Sequence, residues 1–118
     1  MKSLYSEYIQ EREGLKTYEL KDGFFTYEFS PDLSQIYIAD MYIRAEKRCF
    51  SIYKKFIDEV ISLARNTKTL LCSVDASTAN CEYILSIHLK MGMKIREIQG
   101  TRIFLEMEIC DLINKYKV

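Results

Sequence analysis

The chain has 118 residues, 48% of them hydrophobic and 29% charged, with 17 basic and 17 acidic side chains. That length and balance predict a single folded domain. A net charge of zero argues against nucleic-acid binding, which needs a cationic excess, and against a polybasic membrane-surface module. No apolar run approaches the ~20 residues of a membrane span, and the opening MKSLYSEYIQERE lacks the apolar stretch of a secretory signal. A cytoplasmic location is therefore expected. The four cysteines, Cys49, Cys72, Cys81 and Cys110, form no C-x-x-C pair, and one histidine is too little to complete a zinc set. Four reduced thiols and no metal are expected.

Residues 3–13 carry Leu4, Tyr5, Tyr8 and Ile9 at helical spacing, and Gly14 supplies the stop. Asp22-Gly23 lies between LKTYEL and FFTYEFS, two aromatic runs of period two, and signals a hairpin. Phe25, Tyr27 and Phe29 share one face of its second strand. After a turn at Ser30-Pro31-Asp32, QIYIADMYI reads as a central strand, apolar on both faces. From Phe50 to Arg65 the period becomes helical, with Ile52, Phe56 and Val60 in one stripe. TLLCSV is a short buried strand. Ser77 is a candidate cap for a helix ending at Gly92, and MKIREIQ-GT-RIFLEMEI is a second hairpin with Ile103, Leu105, Met107 and Ile109 on one face. The tail DLINKYKV is expected to be a frayed helical turn or disordered. Residues 35–43 and 69–75 should be parallel neighbours joined by a right-handed crossover helix.

This order, and the residues at the start of the first long helix, resemble the GNAT (GCN5-related N-acetyltransferase) superfamily over residues 16–109. In that family an R-x-x-G-x-G/A run opens a helix that continues with Leu-Leu and a later Ala. Here Arg48 takes the Arg position, Phe56-Ile57 the Leu-Leu positions and Ala64 the later Ala. Ser51 and Tyr53 stand where the two small residues belong. Asn80 matches the family's Asn near the start of the next helix. His88-Leu89-Lys90-Met91-Gly92-Met93 matches its Tyr-x-K-x-G-F, with His88 for Tyr and Met93 for Phe. Short GNAT-like proteins of tailed bacteriophages are also similar, in the runs Lys47-Arg48-Cys49-Phe50 and Lys54-Lys55-Phe56-Ile57; a phage-encoded chain would work in the host cytoplasm.

The resemblance implies an α/β fold of one mixed sheet: a short helix, an antiparallel meander, a βαβα unit and a closing hairpin. It implies acyl transfer from acetyl-CoA to an amine acceptor. Helix N-terminal N–H groups suit a pyrophosphate, so Arg48, Cys49, Phe50, Ser51, Ile52, Tyr53 and Lys54, together with Asn80, are the expected coenzyme-binding residues. Backbone groups of Met41, Tyr42 and Ile43 are expected to hold the thioester and pantetheine. Asp40, in an otherwise apolar strand, is the candidate base, or it is an Asp at a sheet edge or paired with an arginine such as Arg44 or Arg102. His88 is the candidate acid for the leaving thiolate, or a cation at a helix C-terminus without chemistry. Glu46 and Asp75 are second-line acids. The rival reading is a GNAT-fold module that has lost the cofactor and catalysis and binds another protein, as a phage assembly component would. Only about fifteen residues precede the meander, so an aromatic flank of the sheet is expected to lie uncovered and to favour a homo-oligomer or docking into an assembly.

Overall fold

The computed structural model describes residues 3–116. Helix α1 (Leu4–Glu13) begins at Ser3, whose hydroxyl accepts from the Ser6 N–H, and ends at Gly14 in the left-handed conformation. Strands β1 (Lys16–Leu20), β2 (Gly23–Phe29) and β3 (Gln35–Ile43) form the meander. Helix α2 (Phe50–Ala64) crosses over to β4 (Thr69–Asp75), and α3 (Cys81–Met91) leads to the hairpin β5 (Lys94–Gln99) and β6 (Arg102–Glu108). Among the described residues these six strands make one sheet in the order β1-β2-β3-β4-β6-β5. Of its neighbouring pairs only β3 and β4 run parallel, as expected for 35–43 and 69–75.

Three local expectations are corrected. The tail forms the packed helix α4 (Ile109–Lys115) rather than a frayed helical turn or a disordered end, because Ile109 and Leu112 are buried against the core; β6 accordingly stops at Glu108. Ser77 caps no helix: its N–H and hydroxyl both donate to the Asp75 carboxylate, and α3 starts four residues later, after Asn80. In the first hairpin Leu20 pairs with Gly23, so Lys21-Asp22 is the turn. Gly23 is required for a different reason: a Cβ there would lie 2.6 Å from the Tyr42 carbonyl oxygen and 3.1 Å from the Phe56 ring.

The apolar core lies on one face of the sheet, under α2, α3 and α4, with Phe25, Ile36, Ile38, Leu70, Cys72 and Leu105 at its centre. Phe25 is fully buried and meets Phe56 of α2 edge-on at 5.5 Å, so α2 covers the strip that begins at Phe25. On the opposite face of β2, α1 leaves an aromatic row: Phe24 lies 5.0 Å from Tyr5 and 6.0 Å from Tyr42, and both tyrosines are exposed.

β3 is not buried on both faces throughout. Its buried positions switch from Ile36 and Ile38 to Met41 and Ile43. The cause is a bulge: Thr26 faces Asp40 while Tyr27 faces Ile38, leaving Ala39 as the extra residue. The bulge turns Asp40 and Tyr42 to the exposed side. At the same point β3 leaves β4, for their pairing ends at Ile38 and Cys72.

Candidate functional site

Beyond Ile38, β3 keeps β2 on one side and has no ladder partner on the other among the described residues, while β4 continues on β6 to Asp75. The result is a V-shaped split. Strand alternation decides which backbone groups enter it. Asp40 N–H turns away and donates to Thr26 Oγ1 at 3.1 Å. The carbonyls of Met41 and Ile43 turn inward, accepting from Asn80 Nδ2 at 3.4 Å and from Arg48 Nε at 3.0 Å. In an extended strand the N–H and C=O of one residue point the same way, so the N–H groups of Met41 and Ile43 face the split.

Four cavities follow one another around this point through shared lining residues. A cavity of about 50 Å³ in the split is lined by Asp40, Met41, Ser73, Asp75 and Asn80. Asn80 is shared with a cavity of about 380 Å³ that also touches Tyr42 and Arg48. Arg48 is shared with a third, also about 380 Å³, between α2 and α3, walled by Cys49, Tyr53, Tyr83, Lys90 and Tyr116. On the other side, Asp40 joins the split to a cleft of about 240 Å³ lined by Glu13, Glu28, Tyr37 and Arg102. The track runs from an acid-rich cleft, past the strand split, to the start of α2.

Asp40 stands at the junction and is solvent-exposed on one side. Atoms packed on its other side desolvate the carboxyl and raise its pKa; Arg102 opposes the rise, and Glu13 and Asp75 add to it. Neither arginine expected as its partner forms an ion pair with it. Arg44 pairs with Asp22 at 3.2 Å, and Arg102 lies 4.0 Å from Asp75. Asp75 itself is held below the usual carboxylate range, chiefly by hydrogen bonds from Ser77. Glu46 is exposed and lies 4.0 Å from Arg44.

His88 is elsewhere. It is 1% exposed, lines none of these four cavities, and its Nδ1 has no hydrogen-bond partner among the described residues. Burial pushes its pKa down to about 4, so it is a neutral core residue at ordinary pH and not a helix-terminal cation.

At the start of α2, Cys49 is the N-cap residue and Ser51 is exposed, with 3.1 Å between Sγ and Oγ. The Ser51 hydroxyl, then the Ile52 N–H, hold the Cys49 thiol below its ordinary pKa. The Arg48 guanidinium stacks over Tyr83 at 4.4 Å as well as binding Ile43. Lys54 pairs with Asp58 one turn on. Tyr53 points across the α2–α3 groove, its hydroxyl 2.8 Å from that of Tyr116 on the residue that ends α4. In the first turn of α2 the Ser51 side chain is exposed while the Ile52 N–H is turned to the Cys49 thiol, and the far end of the groove is walled by the two tyrosines. The inward N–H groups of Met41 and Ile43 are donors of the kind an acyl-CoA thioester and its amides would need.

Sequence reasoning did not single out Ser73, Tyr37 or Tyr116. A lone serine between buried Cys72 and Val74 was the available signal for the first. Tyr116 was hidden because the tail gave no clear helical period.

No protein-family model and no curated protein sequence matches the chain. Solved structures do. An acetyltransferase from Thermus thermophilus superposes with a TM-score of 0.66 at 8% identity, over 86% of this chain and 69% of that one. The PaiA N-acetyltransferase from Thermoplasma acidophilum, in complex with coenzyme A, gives 0.62 at 16% identity, over 74% of this chain; the chain spans only 53% of that protein's length. An acetyltransferase from Bacillus subtilis in complex with CoA gives 0.61 at 12% identity, over 86% and 82%. A GNAT-family protein from Desulfovibrio desulfuricans gives 0.66 at 9% identity, over 87% and 76%. These superpositions show that this chain has the GNAT fold.

Proposed function

We propose that this chain transfers an acyl group from acetyl-CoA to an amine. The observation that carries the reading is the split itself: inward-facing backbone groups of Met41 and Ile43 lie beside the exposed carboxyl of Asp40, whose pKa is raised. Met41 and Ile43 N–H groups are suited to the thioester oxygen and the pantetheine amides, and the first turn of α2 to the pyrophosphate. Asp40 takes the proton from the acceptor ammonium; a raised carboxyl pKa serves that task better than an ordinary one. Glu13 and Glu28 at the neighbouring cleft favour a cationic acceptor over an anionic one. The test is thiol release from acetyl-CoA with a panel of primary amines. Amine-dependent release is expected, and its absence across the panel contradicts the reading.

The rival reading, a binding module without catalysis, has its own support in the groove that Tyr53 and Tyr116 close and in the exposed row of Tyr5 and Tyr42. A homo-oligomer or assembly contact through that row belongs to either reading, and light scattering at micromolar concentration reads it.

A further inference from the structure

A departing thiolate needs a proton, and burial removes His88 from that task. A different group stands where β3 and β4 part. Ser73 follows the last residue of β4 that pairs with β3 and is 4% exposed. Its Oγ lies 2.6 Å from Tyr37 Oη, 2.7 Å from Arg102 Nη1 and 3.3 Å from the Ala39 carbonyl oxygen. Two of these three contacts have a direction fixed by the partner's chemistry. A guanidinium only donates and a carbonyl only accepts. Arg102 therefore donates to Ser73, and with the single Ser73 hydrogen on the Ala39 carbonyl it is Tyr37 that donates to Ser73. The hydrogen held on the longest of the three contacts is the one directed across the split. Ser73 lines the cavity of the split with Asp40, and Tyr37 and Arg102 line the acceptor cleft that shares Asp40. One hydrogen-bonded chain thus connects the two.

We infer that Ser73 is the acid for the leaving sulfur, with Tyr37 and Arg102 as positioning residues that resupply and polarise its hydroxyl. This rests on the acyl-transfer reading above. As the C–N bond forms and the C–S bond breaks, the electron pair of the latter goes to sulfur. Ser73 Oγ gives its proton to that sulfur and takes one from Tyr37 Oη. The phenolate is stabilised by Arg102 and regains a proton from water in the cleft. The acceptor ammonium loses two protons through Asp40 to water, the sulfur gains one, and one proton is released overall.

The full chain carrying Ser73→Ala or Tyr37→Phe tests this with two donors, acetyl-CoA and an acetyl thioester of an aromatic thiol, whose thiolate leaves without protonation. Both variants are expected to lose roughly 100-fold or more in kcat with acetyl-CoA, with KM little changed, and to change less than about threefold with the aromatic thioester. Ser73→Thr, which keeps the hydroxyl, should restore part of the rate, and melting temperature checks that each variant folds. Equal losses with both donors, or unchanged turnover of acetyl-CoA, overturn the assignment. A second readout needs no turnover. Calorimetry should show CoA binding about fivefold more tightly than desulfo-CoA to the wild-type chain, as one hydrogen bond to sulfur gives, and equally to Ser73→Ala. A preference that survives in Ser73→Ala contradicts the inference. If the wild-type chain binds CoA but releases no thiol with any amine, acyl transfer itself fails, and the desulfo-CoA comparison still decides whether Ser73 donates to sulfur.

Discussion

The two halves of β3 differ in everything that matters for chemistry. Residues 36–38 have ladder partners on both sides and bury Ile36 and Ile38 completely. Residues 40–43 keep only β2, and their inward groups meet side chains of Asn80 and Arg48 instead of a strand. One extra residue, Ala39, separates the halves. A bulge therefore does two things at once: it exposes the Asp40 carboxyl and frees one edge of the strand beside it.

The largest effect is expected from the residue that this bulge exposes. Asp40→Asn should reduce acyl transfer by roughly 10²–10⁴-fold and leave the melting temperature close to that of the wild type, since Asp40 makes no ion pair among the described residues. A rate within threefold of wild type would remove Asp40 as the base. An equivalent change in the paired half, Ile38→Ala, should act the other way, through stability, costing about 2–5 kcal/mol.

His88 tests the core behind both halves. Its folded pKa of about 4 lies below its unfolded value near 6.5. The unfolded chain thus binds more protons in that window, and stability rises with pH across it. The contribution is complete above pH 6.5 and is lost as pH falls towards 4, by about 3 kcal/mol for a shift of this size. His88→Leu should flatten this dependence in urea unfolding. A variant with the same slope between pH 4 and 6.5 would show that another group carries it.

A smaller effect is expected at Gly23, whose missing Cβ admits the Tyr42 carbonyl. Gly23→Ala should cost about 1–3 kcal/mol because the atom it meets at 2.6 Å is backbone and cannot swing aside. Urea unfolding reads this, and a loss below 0.5 kcal/mol would show that the strands shift to make room. The smallest effect concerns the start of α2. Replacing Ser51 and Tyr53 together by Gly should tighten acetyl-CoA binding several-fold by opening the groove that Tyr53 walls off. Weaker or unchanged binding would mean that the tyrosine pair supports the site instead of restricting it.

Much of this was legible in the sequence, and the limits have physical causes. Strand boundaries followed from period-two runs, and α2 from its stripe, because each buries one well-marked face. The parallel pairing of β3 with β4 followed from a helix too long to be a hairpin loop. The bulge was not legible, since IYIADMYI is apolar at both phases and hides the switch at Ala39. The turn at Lys21-Asp22 was displaced because Gly23 answers a tertiary contact, not a turn conformation. Asp40 was found because a carboxylate interrupts an apolar run. His88 was placed at the site by its motif position, but that position lies on the buried stripe of α3 with Ile84, Ile87 and Met91. The Ser73 network joins three strands far apart in sequence, and no local pattern announces it.

Under the proposed acyl transfer, the unpaired half of β3 is the part that receives the acyl donor, while the paired half only supports it. Backbone amide shifts recorded by NMR during titration with acetyl-CoA test this directly. The largest changes are expected at the amides of Met41 and Ile43 and in the first turn of α2, with residues 35–38 nearly unmoved. No change at millimolar acetyl-CoA, or changes confined to positions away from the split, would contradict it.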